Sequence, residues 1–175
     1  MIELLNMSEE ERQSFASYIR SFTFGVEDSL VSTVGLLAGL DAGGATHAVI
    51  IGTGLIYLFV EAFSMAVGSF LSEHSGAEYL AGEKNAVGRS FKDGVIMFLS
   101  FAVAGFIPLF PYFVSAQSAG LIISIALSLL TLFILGLVNA KFTRTGFLKK
   151  GFEMLLLGGV AVGVGVAIGL IFRVS

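Results

Sequence analysis

The sequence predicts an all-α integral membrane protein of five transmembrane helices, and three observations carry that expectation. Of its 175 residues 55% are hydrophobic and only 13% are charged, with a mean hydropathy of +0.91, values that belong to multi-pass membrane proteins. Five apolar stretches come close to the roughly 20 residues that cross a 30 Å hydrocarbon core, and polar or glycine-rich links separate them. Nine of the ten Lys and Arg residues fall in the N-terminal segment and in the links 72–92 and 141–150, leaving Arg173 at the other end. Basic residues collect on the cytoplasmic side, so the N-terminus is expected in the cytosol and the C-terminus on the opposite side. Residues 1–175 read as a single transmembrane domain.

Composition also narrows function. A net charge of -3 without a basic patch gives nucleic-acid binding no support. The absence of Cys excludes disulfides, thiolate metal sites and covalent haem attachment. The opening MIELLNMSEEER is acidic and polar, unlike the basic start and apolar core of a secretory signal, so no cleavable signal is expected.

Ser8 with Glu11 three residues later has the form of a capping box and opens a helix. Phe15, Ile19 and Phe22 then share a face, which predicts an amphipathic lead-in over about 8–21, lying along the membrane surface before the first span. Span one, about 22–40, contains the adjacent acids Glu27 and Asp28, about 100° apart around the helix, so only one of them can face a given cavity squarely. The link DAGGATH is a glycine-rich turn, and His47 within it reads as an exposed loop histidine.

Span two, about 49–71, carries Glu61 in its interior and Met65 one turn later. A charged side chain near the bilayer midplane costs at least about 2.5 to 3.5 kcal/mol on insertion scales, so it faces a bundle interior, a water-filled path or a bound cation. Residues four apart share a helical face, and a hard oxygen beside a soft sulfur suggests a transition-metal cation. Base rates alone would make Met65 a packing residue.

Residues 72–92 form the longest polar segment and read as a solvated connecting loop. Were the helix to continue, His74 and Glu78 would share a face as a candidate metal pair, and Glu73 lies beside them. Span three, about 94–114, is expected to lose helical geometry at IPLFPY, because the residue before each Pro is pushed away from the α region. Span four covers about 119–140. Span five, about 152–172, steps Gly159 to Gly163 and Gly165 to Gly169 at four-residue intervals, as Gly35 and Gly39 do in span one. That spacing predicts close helix approach, within one chain or across a dimer. With span one leaving the cytosol and span two returning, Asp28 and Met65 fall at similar depths and Glu61 one turn deeper, with Tyr57 and Ser64 nearby.

At these residues the sequence resembles the vacuolar iron transporter family. FGVEDSLVSTVGLLAGL is similar to the family's first-helix pattern FGxNDGLVSTxxLxxG, and EAFSMAVGSFLS to its second-helix pattern A(D/E)xxSMxxGEYLS. The resemblance implies Asp28, Glu61 and Met65 as ligands of a metal path, with Glu27 as an entrance acid and Glu73, His74 and Glu78 as a candidate cytosolic capture group. It implies a homodimeric carrier of Fe2+ or Mn2+ that exports or sequesters the ion from the cytosol by proton antiport. Its partners would be membrane lipid and the metal ions, and no permanently bound cofactor is implied. The location would be a cell membrane in a prokaryote and a vacuole-type membrane in a eukaryote. Glu27 replaces the family's Asn, Ser69 replaces an acid, and the Glu-rich cytosolic domain that many members insert between spans two and three is absent. These departures motivate the alternative of a non-transporting scaffold or assembly protein that keeps the fold. No HExxH, paired His or nucleophile motif lies in a span, so no enzyme is expected.

Overall fold

The computed structural model describes residues 8–81, 86–115, 117–143 and 146–173. Its described elements are five α-helices in chain order: α1 Glu9–Ala42, α2 His47–Ala81, α3 Ala86–Val114, α4 Gln117–Thr143 and α5 Phe147–Ile171. All but α1 are long and apolar enough to cross a membrane. α1 has the length, but Glu27 and Asp28 interrupt its apolar stretch.

Ser8 caps α1 as its sequence predicts. Its hydroxyl accepts the Glu11 N–H at 3.2 Å, and the Glu11 carboxylate accepts the Ser8 N–H at 2.8 Å. From there α1 runs unbroken for 34 residues, so the lead-in and the first span are one helix rather than two elements. Tertiary contacts anchor its first half: the Ser17 and Ser21 hydroxyls both donate to Asp93 of α3 at 3.1 Å.

α1 is the central helix and touches the other four, α3 and α5 extensively and α2 least. Toward α3 it presents small and hydroxylated residues, which bring the backbones close. Gly25 stands against Met97 and Ser100, and Gly105 of α3 against Ser29 and Thr33. The Ser29 hydroxyl donates to the Phe101 carbonyl at 2.6 Å. In lipid such packing and hydrogen bonding replace water expulsion as the force between helices. Toward α5 the glycines interlock: a β-carbon at Gly39 would stand 2.8 Å from the Gly165 carbonyl oxygen, and β-carbons at Gly165 and Gly169 would overlap the carbonyls of Gly35 and Gly39. Gly159 and Gly163, the other pair in that helix, face open space, so helical phase divides the two pairs between faces.

Three further expectations are corrected. Residues 72–81 continue α2, and α3 begins at Ala86, so most of the expected polar loop is helix and only 82–85 lie outside the described residues. α3 passes through Pro108 and Pro111 to Val114, because neighbouring helices satisfy polar groups around a membrane proline. The Ser124 hydroxyl of α4 donates to the Pro108 carbonyl at 2.6 Å. His47 is the first residue of α2, half-buried with its ring 6.2 Å from that of Tyr112, rather than an exposed loop residue.

Candidate functional site

Asp28 and Glu61, on α1 and α2, are brought close enough for each carboxylate to feel the other's charge, and both are half-buried. Tyr57 lies one turn before Glu61, hydrogen-bonded to Ser32 and within the electrostatic reach of both acids. Ser32 in turn donates to the Asp28 carbonyl at 2.6 Å, tying the hydroxyl pair to the turn that carries the acid. A phenol and a serine thus stand beside two carboxylates between α1 and α2.

Met65 packs partly against the core cluster of Leu58, Ala62, Phe101 and Ala102. Its remaining surface lines a cavity of about 880 Å³ between α1, α2 and α3, together with Arg20, Ser64, Glu73, Arg89 and Met97. Met65 is therefore both packed against the core and open to the cavity. Glu73 closes on Arg20 across this cavity as an ion pair between α2 and α1.

The remaining sequence candidates separate. Glu27 is turned toward α5, where Lys150 and Glu153 act on it electrostatically, which leaves Asp28 alone to face Glu61. His74 and Glu78 do meet, at 3.3 Å, as a helical continuation requires, whereas Glu73 points to Arg20. Among the described residues no group of three or more His, Asp or Glu side chains is placed to hold a metal ion. A cation at the Asp28–Glu61 pair would therefore take its other ligands from Met65, hydroxyls, water or a second copy of the chain.

Sequence reasoning missed Asp93. It is fully buried, with Oδ1 accepting from Ser17 and Ser21 and Oδ2 without a hydrogen-bond partner among the described residues. It stood one residue outside the drawn span, and the i, i+4 spacing of Ser17 and Ser21 was the only signal that a polar partner faced α1. Met97, a second thioether on the cavity wall, was hidden in an ordinary apolar run.

A helical membrane bundle with an acid pair between its first two helices is the class of protein that this fold and site define. A model of the VIT family matches residues 19–91 and 81–170, and the chain belongs to that family. It is 30% identical over 165 residues to vacuolar iron transporter homolog 1 of Oryza sativa subsp. japonica, covering 85% of this chain and 71% of that protein. It is 33% identical over 107 residues to the vacuolar iron transporter of Plasmodium berghei, covering 53% of this chain but 39% of that protein. With vacuolar iron transporter 1 of Arabidopsis thaliana the identity is 21%, covering 90% of this chain and 87% of that protein. That last alignment extends over 218 positions against 175 residues here, so the relative carries residues without a counterpart in this chain.

Proposed function

We propose that this chain carries a divalent transition-metal ion, Fe2+ or Mn2+, out of the cytosol in exchange for protons. The observation that carries the reading is the half-buried Asp28–Glu61 pair between α1 and α2, next to a cavity with Met65 on its wall. A carboxylate binds either a proton or a divalent cation, and competition for the same oxygens couples the two fluxes. Two acids that repel each other unless protonated or bridged give that competition its strength. The names of the relatives, vacuolar iron transporters and their homologs, support iron as cargo.

The N-terminus faces the cytosol in this reading, and the large cavity is the cytosolic entrance. A homodimer fits the exposed apolar flank of α2, where Ile56, Phe59, Val60, Phe63 and Val67 are each at least 40% exposed. A second copy there would shield the half-exposed acids from lipid and complete a cation's ligand set.

Purified protein in liposomes with an imposed pH gradient tests the proposal. Metal flux should follow the gradient and collapse in Glu61→Gln, which keeps shape and removes charge. Wild-type protein that moves neither Fe2+ nor Mn2+ under any gradient returns the chain to the scaffold reading.

A further inference from the structure

A second cluster of polar side chains lies at the other end of the bundle, where α1 and α3 finish and α2 begins. It is about 20 Å along α1 from Asp28, thirteen residues at 1.5 Å each. Tyr112 of α3 is fully buried, yet its hydroxyl has no hydrogen-bond partner among the described residues. His47 of α2 tilts against it at 47° with ring centroids 6.2 Å apart, and its buried Nδ1 is likewise unpartnered. Asp41, in the last turn of α1, is close enough for its charge to act on the Tyr112 hydroxyl. Around them Leu37, Ala45, Ile50 and Leu109 form an apolar wall.

Two buried, unpartnered polar atoms in one place are uncommon, since buried hydroxyl and imidazole groups nearly always find partners. Here the Asp41 carboxylate lies within electrostatic reach of the tyrosine hydroxyl. With the proton on Nε2, the His47 Nδ1 offers a lone pair, and the tyrosine oxygen offers another. Asp41 and Tyr112 stand in the last turns of α1 and α3 and His47 opens α2, so the negative and positive helix ends offset each other and the donor atoms themselves select the ligand. Nitrogen and oxygen donors without sulfur suit Fe2+, Mn2+, Co2+ or Zn2+. None of the three residues belongs to the Asp28–Glu61 group or to its cavity.

We propose that Asp41, His47 and Tyr112 form a second divalent-cation site, at the end of the bundle where the transported ion would leave. The choice of a transition-metal cation as ligand rests on the transport reading above. The geometry of the cluster does not. In that role the site receives the ion from Asp28 and Glu61 and holds it until it is released.

The test uses full-length, detergent-solubilised protein carrying Asp28→Asn and Glu61→Gln, titrated with Co2+ and followed by visible d–d absorption. A saturable signal is expected to remain, because the second site is intact. Adding His47→Gln should abolish it. Adding Tyr112→Phe, which removes only a hydroxyl from a packed ring, should weaken Co2+ binding by at least about tenfold, the scale on which metal sites respond to loss of a supporting group. Circular dichroism confirms that both variants keep their helices. No saturable signal in the doubly substituted background, or one indifferent to His47→Gln, overturns the proposal. Metal flux that depends on Glu61 together with either of those results leaves the transport reading standing alone. A His47-dependent Co2+ signal without any flux leaves the site standing and removes the transport reading.

Discussion

In the proposed transport role, Glu61, Asp28 and Met65 should differ in what they do to the cargo. Met65→Leu conserves volume and apolarity, so it should cost less than about 1.5 kcal/mol of stability. Because the side chain also lines the cavity, it should lower Fe2+ flux more than Mn2+ flux, the harder ion relying less on sulfur. Asp28→Asn should impair both ions, and the ratio of the two fluxes at fixed pH reads the difference. Asp93 is a residue of another kind. It clamps α1 to α3 through Ser17 and Ser21, and hydrogen bonds to a charged acceptor contribute about 1.5 to 3 kcal/mol each. Thermal unfolding in detergent should therefore show Ser21→Ala destabilised by an amount in that range and Asp93→Ala by more.

At the scale of elements, the α1–α5 contact depends on glycine in a position-specific way. Gly165→Ala would drive a methyl group into the Gly35 carbonyl, which the facing backbone cannot yield to without moving α5. Overpacking of this kind costs about 1 to 3 kcal/mol. Gly163→Ala meets no neighbour within 4 Å and should leave the stability of the single chain unchanged or slightly raised, since Ala is the better helix former. Melting temperatures of the two variants in one detergent measure the contrast. The extension of α2 to Ala81 also has a consequence: it carries Glu73 to Arg20 and aligns His74 with Glu78, which a loop would have left to chance.

For the molecule as a whole, the cavity beside α1, α2 and α3 should be water-filled and open toward the end bearing Arg20 and Arg89. The chain contains no Cys, so single cysteines report access directly. Ser69→Cys, on the cavity wall, should react with a water-soluble thiol reagent, and Ala62→Cys, fully buried, should not. Performed on sealed vesicles, the same labelling decides which side of the membrane the cavity faces. The Arg20–Glu73 pair across the cavity is a weak latch, because Arg20 is 67% exposed and pairs in water contribute about 0 to 1 kcal/mol.

Hydropathy and the length of the apolar stretches sufficed to read the helical membrane class from the sequence, because a bilayer demands long apolar helices whatever the fold. The capping box at Ser8, the interior acid Glu61 and its stripe with Met65 were legible for the same reason: each depends on residues within four positions of one another. Family motifs added Asp28. Only the tertiary structure could turn Glu27 toward α5 and Asp28 toward Glu61, since neighbouring residues on a helix differ only in which partner each happens to face. It also carried α3 through two prolines by surrounding them with other helices, and chose Gly165 over Gly163 for the contact with α1. Asp93 with Ser17 and Ser21, and Asp41 with His47 and Tyr112, came from the packing alone. Their partners lie on different helices, and no local pattern in the chain encodes which helices will meet.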